Sequence, residues 1–349
     1  MDVPLWAWIV TIGLILAMLA VDYVGHVKTP HAPSMKEAAW WSVGYIAVAV
    51  VFGGVVWAVW GPTYGGEYFA GYVTEKSLSV DNLFVFVLIM GAFRVPRLYQ
   101  QKVLLVGITI ALVLRTIFIL AGAALIANFS WIFYLFGAFL IYTAWAQARS
   151  GTEHDAEFKE NGVLRLVRRV FPTTDDYVDD KLTVKIDGKR FITPMLIVMI
   201  AIGSADVLFA VDSIPAIFGL TQETYLVFAA NAFSLLGLRQ LYFLIDGLLD
   251  RLVYLAYGLA AILGFIGLKL VIHALHTNEV PFINGGEHIE AIPEISTPVS
   301  LAFIGVVLVI TTVASLYKDR KDRRAAALAD GEAPAGASSS SDANRADES

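Results

Sequence analysis

Long apolar stretches alternate with short polar ones along this 349-residue chain. Nine stretches run to roughly 20 residues, at 5–24, 38–60, 68–91, 103–123, 128–147, 192–214, 223–245, 252–273 and 298–317. A helix of that length crosses the hydrocarbon core of a bilayer. The pattern therefore predicts an all-α polytopic membrane protein of about nine transmembrane helices. Its expected parts are 1–67 with the first two helices, 68–147 with helices three to five, a loop at 148–191, 192–273 with helices six to eight, a loop at 274–297, a ninth helix at 298–317 and a tail at 318–349. Within the first loop, "TVKIDGKRF" reads as a hairpin turning at Asp187-Gly188. The tail passes from basic residues to Ala, Ser and Asp and reads as disordered.

Composition agrees with a membrane setting: 57% of residues are hydrophobic and 16% charged, too few charges for the surface of a soluble protein. A net charge of −6 argues against a nucleic-acid partner, and the lack of cysteine excludes disulfides and thiolate metal sites. The first apolar run has no basic leader and no A-x-A site, so it reads as a retained helix. Lys and Arg cluster in alternate loops: Lys28 and Lys36, then Arg94, Arg97 and Lys102, then 148–191, Arg251 and 318–324. Segments 1–4, 61–67, 124–127, 215–222 and 274–297 have none. Basic loops stay in the cytoplasm, which places the N-terminus outside and 148–191 and the C-terminus inside. The outer loop, with His276, Glu279, Glu287, His288, Glu290 and Glu294, reads as an ordinary exposed segment.

The chain repeats itself. "SVDN" at 79–82 corresponds to "AVDS" at 210–213, which sets Glu75 on Asp206, and "LVLRTIFIL" at 112–120 corresponds to "LGLRQLYFL" at 236–244, which sets Arg115 on Arg239. Helices three to five thus recur as six to eight. Three is an odd number, so the copies cross in opposite senses, an inverted 3+3 repeat of the kind that places transporter sites near the midplane.

Each acid, lysine or arginine at a bilayer centre costs about 2.5–3.5 kcal/mol and normally faces a partner or a water-filled path. Helices three and six carry Glu75, Asp81, Asp206 and Asp212, beside Asn82 and Ser213. Residues six apart differ by about 120° around a helix, so one carboxylate of each pair faces the repeat interface directly. Pro215 closes the second motif and can free backbone carbonyls. Oxygen ligands without thiols suit a hard or borderline divalent cation. Crowded carboxylates hold protons that an entering cation displaces, a physical basis for cation/proton exchange. The candidate ligands are Glu75, Asp81, Asn82, Asp206, Asp212 and Ser213, with Asn231 either a ligand or a hydrogen bond between helices. The competing view makes the acids packing ion pairs with Arg115, Arg239, Lys76 or Lys269. Arg115 and Arg239 are assigned here as structural charge partners. Asp22 reads as a snorkelling charge at an inner helix end, and Gly44, Gly53 and Gly54 as close-packing positions. With no P-loop, hydrolase triad or zincin motif, neither an enzyme nor an ATP-driven pump acting through this chain alone is expected.

"EKSLSVDNLFVF", "DVLFAVDSIPAIF" and "NAFSLLGLRQLYFL" resemble the TerC family of bacterial membrane proteins, its Alx-type members in particular. The likeness runs from "LAVDYVGH" at 19–26 to "FIGLKL" at 265–270. It implies a fold similar to the LysE-type transporter superfamily, a place in the bacterial inner membrane and an association with tellurite resistance. For Alx-type members it implies manganese export. It also implies that Glu75, Asp81, Asp206 and Asp212 are the family's acidic transmembrane residues. Gly203 and Ala205 stand where many relatives carry an acid and a hydroxyl residue, so this chain offers one ligand fewer. The expectation is a divalent-cation exporter, Mn2+ foremost, with protons as counter-ion, lipid as surroundings and no tightly bound cofactor. The alternative is a non-transporting scaffold of a metal-stress or tellurite-resistance complex.

Overall fold

A computed structural model describes residues 1–27, 34–150, 165, 169, 171–174, 176–186, 188–245, 254–281, 283–289 and 292–331. The helices are α1 Leu5–Asp22, α2 Met35–Trp60, α3 Pro62–Ala92, α4 Arg97–Asn128, α5 Ile132–Ser150, α6 Pro194–Phe218, α7 Thr224–Leu235, α8 Leu238–Ile245, α9 Leu255–His276 and α10 Thr297–Gly331. Their starts follow local chemistry. Ser34 and Glu37 form a reciprocal capping box on α2. Pro62 and Pro194 open α3 and α6, where a missing N–H costs nothing. Strands β1 Thr183–Ile186 and β2 Lys189–Ile192 pair antiparallel as the expected hairpin. Lys102 anchors that segment through Asp180 at 2.6 Å and, by this hydrogen bond, holds the Asp180 carboxyl below its ordinary range.

Seven segments among the described residues are long and apolar enough to span a membrane: Leu5–Gly25, Met35–Trp60, Arg97–Asn128, Pro194–Phe218, Thr224–Leu244, Leu255–His276 and Thr297–Lys321. Two of the nine expected runs fall outside that set. Helix α3 carries Glu67, Glu75, Lys76 and Asp81, and α5 is less apolar toward its end, with Gln147 and Arg149. Rows of bare Val and Ile on α1, α2 and α10, among them Ile9, Val51, Val55, Val309 and Val313, face outward. Such rows suit hydrocarbon rather than water.

Inside this belt, α3 packs on α7, α4 on α6 and α5 on α9. Gly107 abuts Ile202 and Gly122 abuts Phe218, so α4 and α6 run in the same direction. Gly71 lies against Ala230, and the Lys76 side chain reaches Ser234, so α3 and α7 also run together. Helices α5 and α9 oppose each other: Gly137 meets Val271 while Gly267 meets Ile141.

Four expectations change. The tail is helical as far as Gly331, because α10 continues beyond its apolar part; 332–349 lie outside the described residues. The seventh run is not one helix but α7 and α8, broken at Leu236 and Gly237, whose φ of +85° takes the chain out of the helical region. Helix α6 runs on through Pro215 to Phe218, past the end of the apolar run expected at 214. Of the three glycines in α2, only Gly53 meets a neighbour, the rings of Tyr68 and Phe69, while Gly44 and Gly54 face open space.

Candidate functional site

Arg115 of α4 sits at the centre of the bundle, with no exposed surface. The close approach of α4 and α6 at Gly107 and Gly122 brings its guanidinium against α6. Nε and Nη2 donate to the two Asp206 oxygens at 2.9 and 3.0 Å, a bidentate fork. Nη1 donates to Glu75 Oε1 of α3 and, at 3.3 Å, to Ser213 Oγ. Glu75 is fully buried and Asp206 is 2% exposed. Asp206 and Ser213 are two turns apart and share a face of α6, which is why one guanidinium reaches both. Two carboxylates thus surround one fixed cation.

The cluster is not closed by its own hydrogen bonds. Glu75 Oε2, Thr74 Oγ1, Ser79 Oγ and both amide atoms of Asn231 are buried and have no protein partner. Asn231 follows Ala230, which packs on Gly71, so these groups lie along the α3–α7 contact beside the ion triad. An unsatisfied buried polar group costs about 1–3 kcal/mol, and a run of them marks where a small polar species is held.

The remaining candidates are placed as follows. Asn82 is buried on α3. Asp81 lies on α3, but its side chain is outside the described ones. Asp212 is half-buried and about 120° around α6 from Asp206, next to the exposed Val211. Among the described residues no three acidic or imidazole groups converge as metal ligands. Arg115 stands between the Glu75 and Asp206 carboxylates and pairs with both.

Arg239 does not join this centre. It donates to Asp22 and to Gln101, both at 2.9 Å, and Gln240 adds a bond to Asp22 at 3.1 Å. Asp22 is therefore buried at 3% exposure rather than snorkelling, since α8 and α4 cover the end of α1. Lys76 pairs with no described carboxylate; it donates to the carbonyls of Ser234 and Leu236 at the α7/α8 break. Gln101 and the break were missed in the sequence, although Gly237 inside an apolar run was the available signal.

A cavity of about 620 Å3 opens at the ends of α3, α6 and α9. Glu67, Lys269, His273 and Glu294 line it, with His273 bridging Gln222 and Glu294. Glu67 lies eight residues before Glu75, about 12 Å along α3, so the cavity is separate from the triad.

The family model described as integral membrane protein TerC family matches residues 60–323. An uncharacterized membrane protein of Mycobacterium tuberculosis is 56% identical over 316 residues, 90% of this chain and 79% of that protein. Another from Myxococcus xanthus is 39% identical over 313 residues, 90% of this chain and 92% of that protein. An Escherichia coli K12 protein, provisionally named membrane-bound redox modulator Alx, is 38% identical over 268 residues, 74% of this chain and 83% of that protein. No solved structure matches the chain. With apolar spans, a buried ion triad between α3, α4 and α6, and a family match covering both acidic motifs, the chain belongs to the TerC family of integral membrane proteins.

Proposed function

We propose that this chain exports a divalent metal cation, Mn2+ foremost, across the bacterial plasma membrane in exchange for protons. The observation that carries the reading is the buried Glu75–Arg115–Asp206 triad with the unpartnered Glu75 Oε2 and Asn231 amide beside it. A packing strut would have no use for open acceptors at its edge. In this reading Arg115 keeps the two carboxylates together, and cargo is taken first by the open oxygens. Asp81 and Asp212 serve as further acidic stations. The reading assigns the chain no catalysis and no resident cofactor. Because the chain has no cysteine, thiol redox chemistry is not open to it, and a redox effect such as the Alx name describes would act through metal levels.

Helix directions support an inverted repeat of α3–α5 and α6–α9. Exchanging the two sets maps the α3–α7 contact onto the α4–α6 contact, both with helices running in the same direction. It maps the α5–α9 crossing, whose helices oppose, onto itself. The reading has nine crossings, with α3 and α5 added to the seven apolar spans, the N-terminus outside and the C-terminus inside.

The test is cellular manganese under manganese excess, with the wild type, Asp81→Asn, Asp212→Asn and, as a loop control, Arg149→Gln. Export is expected to vanish in both Asn variants at normal membrane levels and to persist in the control. Wild-type manganese levels in the Asp81→Asn/Asp212→Asn double variant would sink the reading and favour a scaffold, which tolerates neutral replacements.

A further inference from the structure

Hydroxyls within these helices usually donate to the carbonyl one turn back, as Ser77 does to Val73 at 2.7 Å, Thr109 to Leu105 at 2.8 Å and Thr116 to Leu112 at 2.7 Å. Ser79 of α3 does not, although the Glu75 carbonyl stands one turn back. Its hydroxyl has no protein partner and no exposed surface. A buried hydroxyl left without a partner costs about 1–3 kcal/mol, which an alanine at this position would not incur. Packing alone therefore does not account for a serine here.

Ser79 also belongs to a row. Glu75, Ser79 and Asn82 are all buried and fall within about 60° around α3, over about 10 Å of its length. One turn before Glu75, a Cβ at Gly71 would touch Ala230 of α7 at 3.4 Å and Ile217 of α6 at 3.6 Å, so the row enters the groove that those two helices form against α3. At its head, Glu75 Oε2 has no protein partner, while Oε1 is held by Arg115. Glu75 and Asn82 are about 10 Å apart along the axis, whereas a divalent cation sits about 2–2.6 Å from each oxygen, so one ion does not bridge them. The Ser79 hydroxyl stands between them, about one turn from each. Among the described residues no three acidic or imidazole side chains converge, so neutral oxygens are needed to complete a ligand set along this row.

We propose that Glu75, Ser79 and Asn82 form a stepped cation path along α3, and that the Ser79 hydroxyl is the contact midway that sets which cation passes. The inference rests on the transport reading above. A cation moving between Glu75 Oε2 and Asn82 sheds water in a groove between apolar helices, and the Ser79 oxygen replaces part of that hydration at the middle of the step. Hydroxyl and amide oxygens are hard ligands, which suit Mn2+, Mg2+ or Ca2+ better than a thiophilic ion such as Cd2+. The hydroxyl stays neutral throughout, so Ser79 selects by ligand softness and not by charge.

The experiment uses the full chain in liposomes with an entrapped Mn2+ dye, and compares the wild type, Ser79→Ala, Ser79→Cys and Ser77→Cys. Ser79→Ala should raise the Mn2+ concentration for half-maximal flux by at least about tenfold, the loss that even an outer partner of a metal ligand brings. Ser79→Cys should lower the Cd2+ concentration that halves Mn2+ flux by at least about tenfold, because a thiol favours the softer ion. The chain has no cysteine of its own, so the introduced thiol is the sole soft ligand. Ser77→Cys, whose hydroxyl bonds Val73, should stay within about twofold of the wild type on both measures. Wild-type Mn2+ dependence in Ser79→Ala, or wild-type Cd2+ sensitivity in Ser79→Cys, would overturn the proposal. Equal Cd2+ sensitivity in the two Cys variants would trace the effect to any thiol on α3 and overturn it as well. Ser79→Cys nearly keeps the size of the side chain, so it answers where Ser79→Ala fails to fold, and failure of both would make the hydroxyl structural and overturn the proposal. These results leave the transport reading standing, whereas a wild type that moves no Mn2+ removes the reading and the inference together.

Discussion

Every donor nitrogen of the Arg115 guanidinium faces an acid, and the two acids, Glu75 and Asp206, come from different helices. Removing the cation strands two carboxylates away from water. Arg115→Met is therefore expected to destabilise the protein by about 3–5 kcal/mol, the usual result of breaking a buried pair from one side. Adding Glu75→Gln and Asp206→Asn to it should recover most of the loss, because the stranded charges are gone. Thermal unfolding in detergent measures both, and a single variant that melts like the wild type would show that Arg115 does not hold the two carboxylates together. That Arg115 needs an acid was legible in the sequence, since a fixed cation among apolar neighbours must be paired. Which acid was not: the repeat put Arg239 on equal terms, yet Arg239 went to Asp22, because α1 and α4 happen to cover that end of α8. Side-chain partners depend on which neighbour seals a position, and apolar periodicity does not carry that information.

At the scale of elements, apolar runs report the stretch that meets hydrocarbon, not the stretch that is hydrogen-bonded as helix. Helix α3 begins at Pro62, ahead of its apolar run, and α10 carries on through charged residues to Gly331. The break at Gly237 was hidden for the same reason, since a glycine in an apolar run looks like a packing position. Glycines that do pack can be told apart only by their surroundings. A Cβ on Gly137 would lie 2.9 Å from the Gly267 carbonyl oxygen, and one on Gly267 would lie 2.9 Å from that of Gly137. Neither backbone can yield without moving the α5–α9 crossing. Gly137→Ala and Gly267→Ala should each cost about 1–3 kcal/mol, as overpacking does. Gly54→Ala, with open space around it, should be neutral or stabilise by up to about 1 kcal/mol through helix propensity. Equal melting temperatures for Gly54→Ala and Gly137→Ala would show that the crossing is looser than drawn.

For the whole molecule, loop charge and helix direction make independent claims that one experiment can compare. Loop charge predicts the hairpin loop inside and 274–297 outside. Direction requires α6 to run with α4, and α9 against α5. The hairpin precedes α6 and the 274–297 segment follows α9, with α6, the α7/α8 pair and α9 between them. If each crosses once, an odd number of crossings separates the two segments, so they lie on opposite sides. The absence of cysteine makes the test clean, because an introduced thiol is the sole target of a maleimide. Thiols at Lys189, in the hairpin, and at Gly286, in the turn after α9, should behave oppositely with a membrane-impermeant maleimide on intact cells. The Gly286 position should label directly and the Lys189 position only after permeabilisation. Labelling of both on intact cells would mean that α7 and α8 do not complete a crossing, so that the break at Gly237 turns the chain back. Labelling of Lys189 alone would keep the crossings and reverse the orientation, and with it the side on which the cavity of Glu67 and Glu294 meets its solvent.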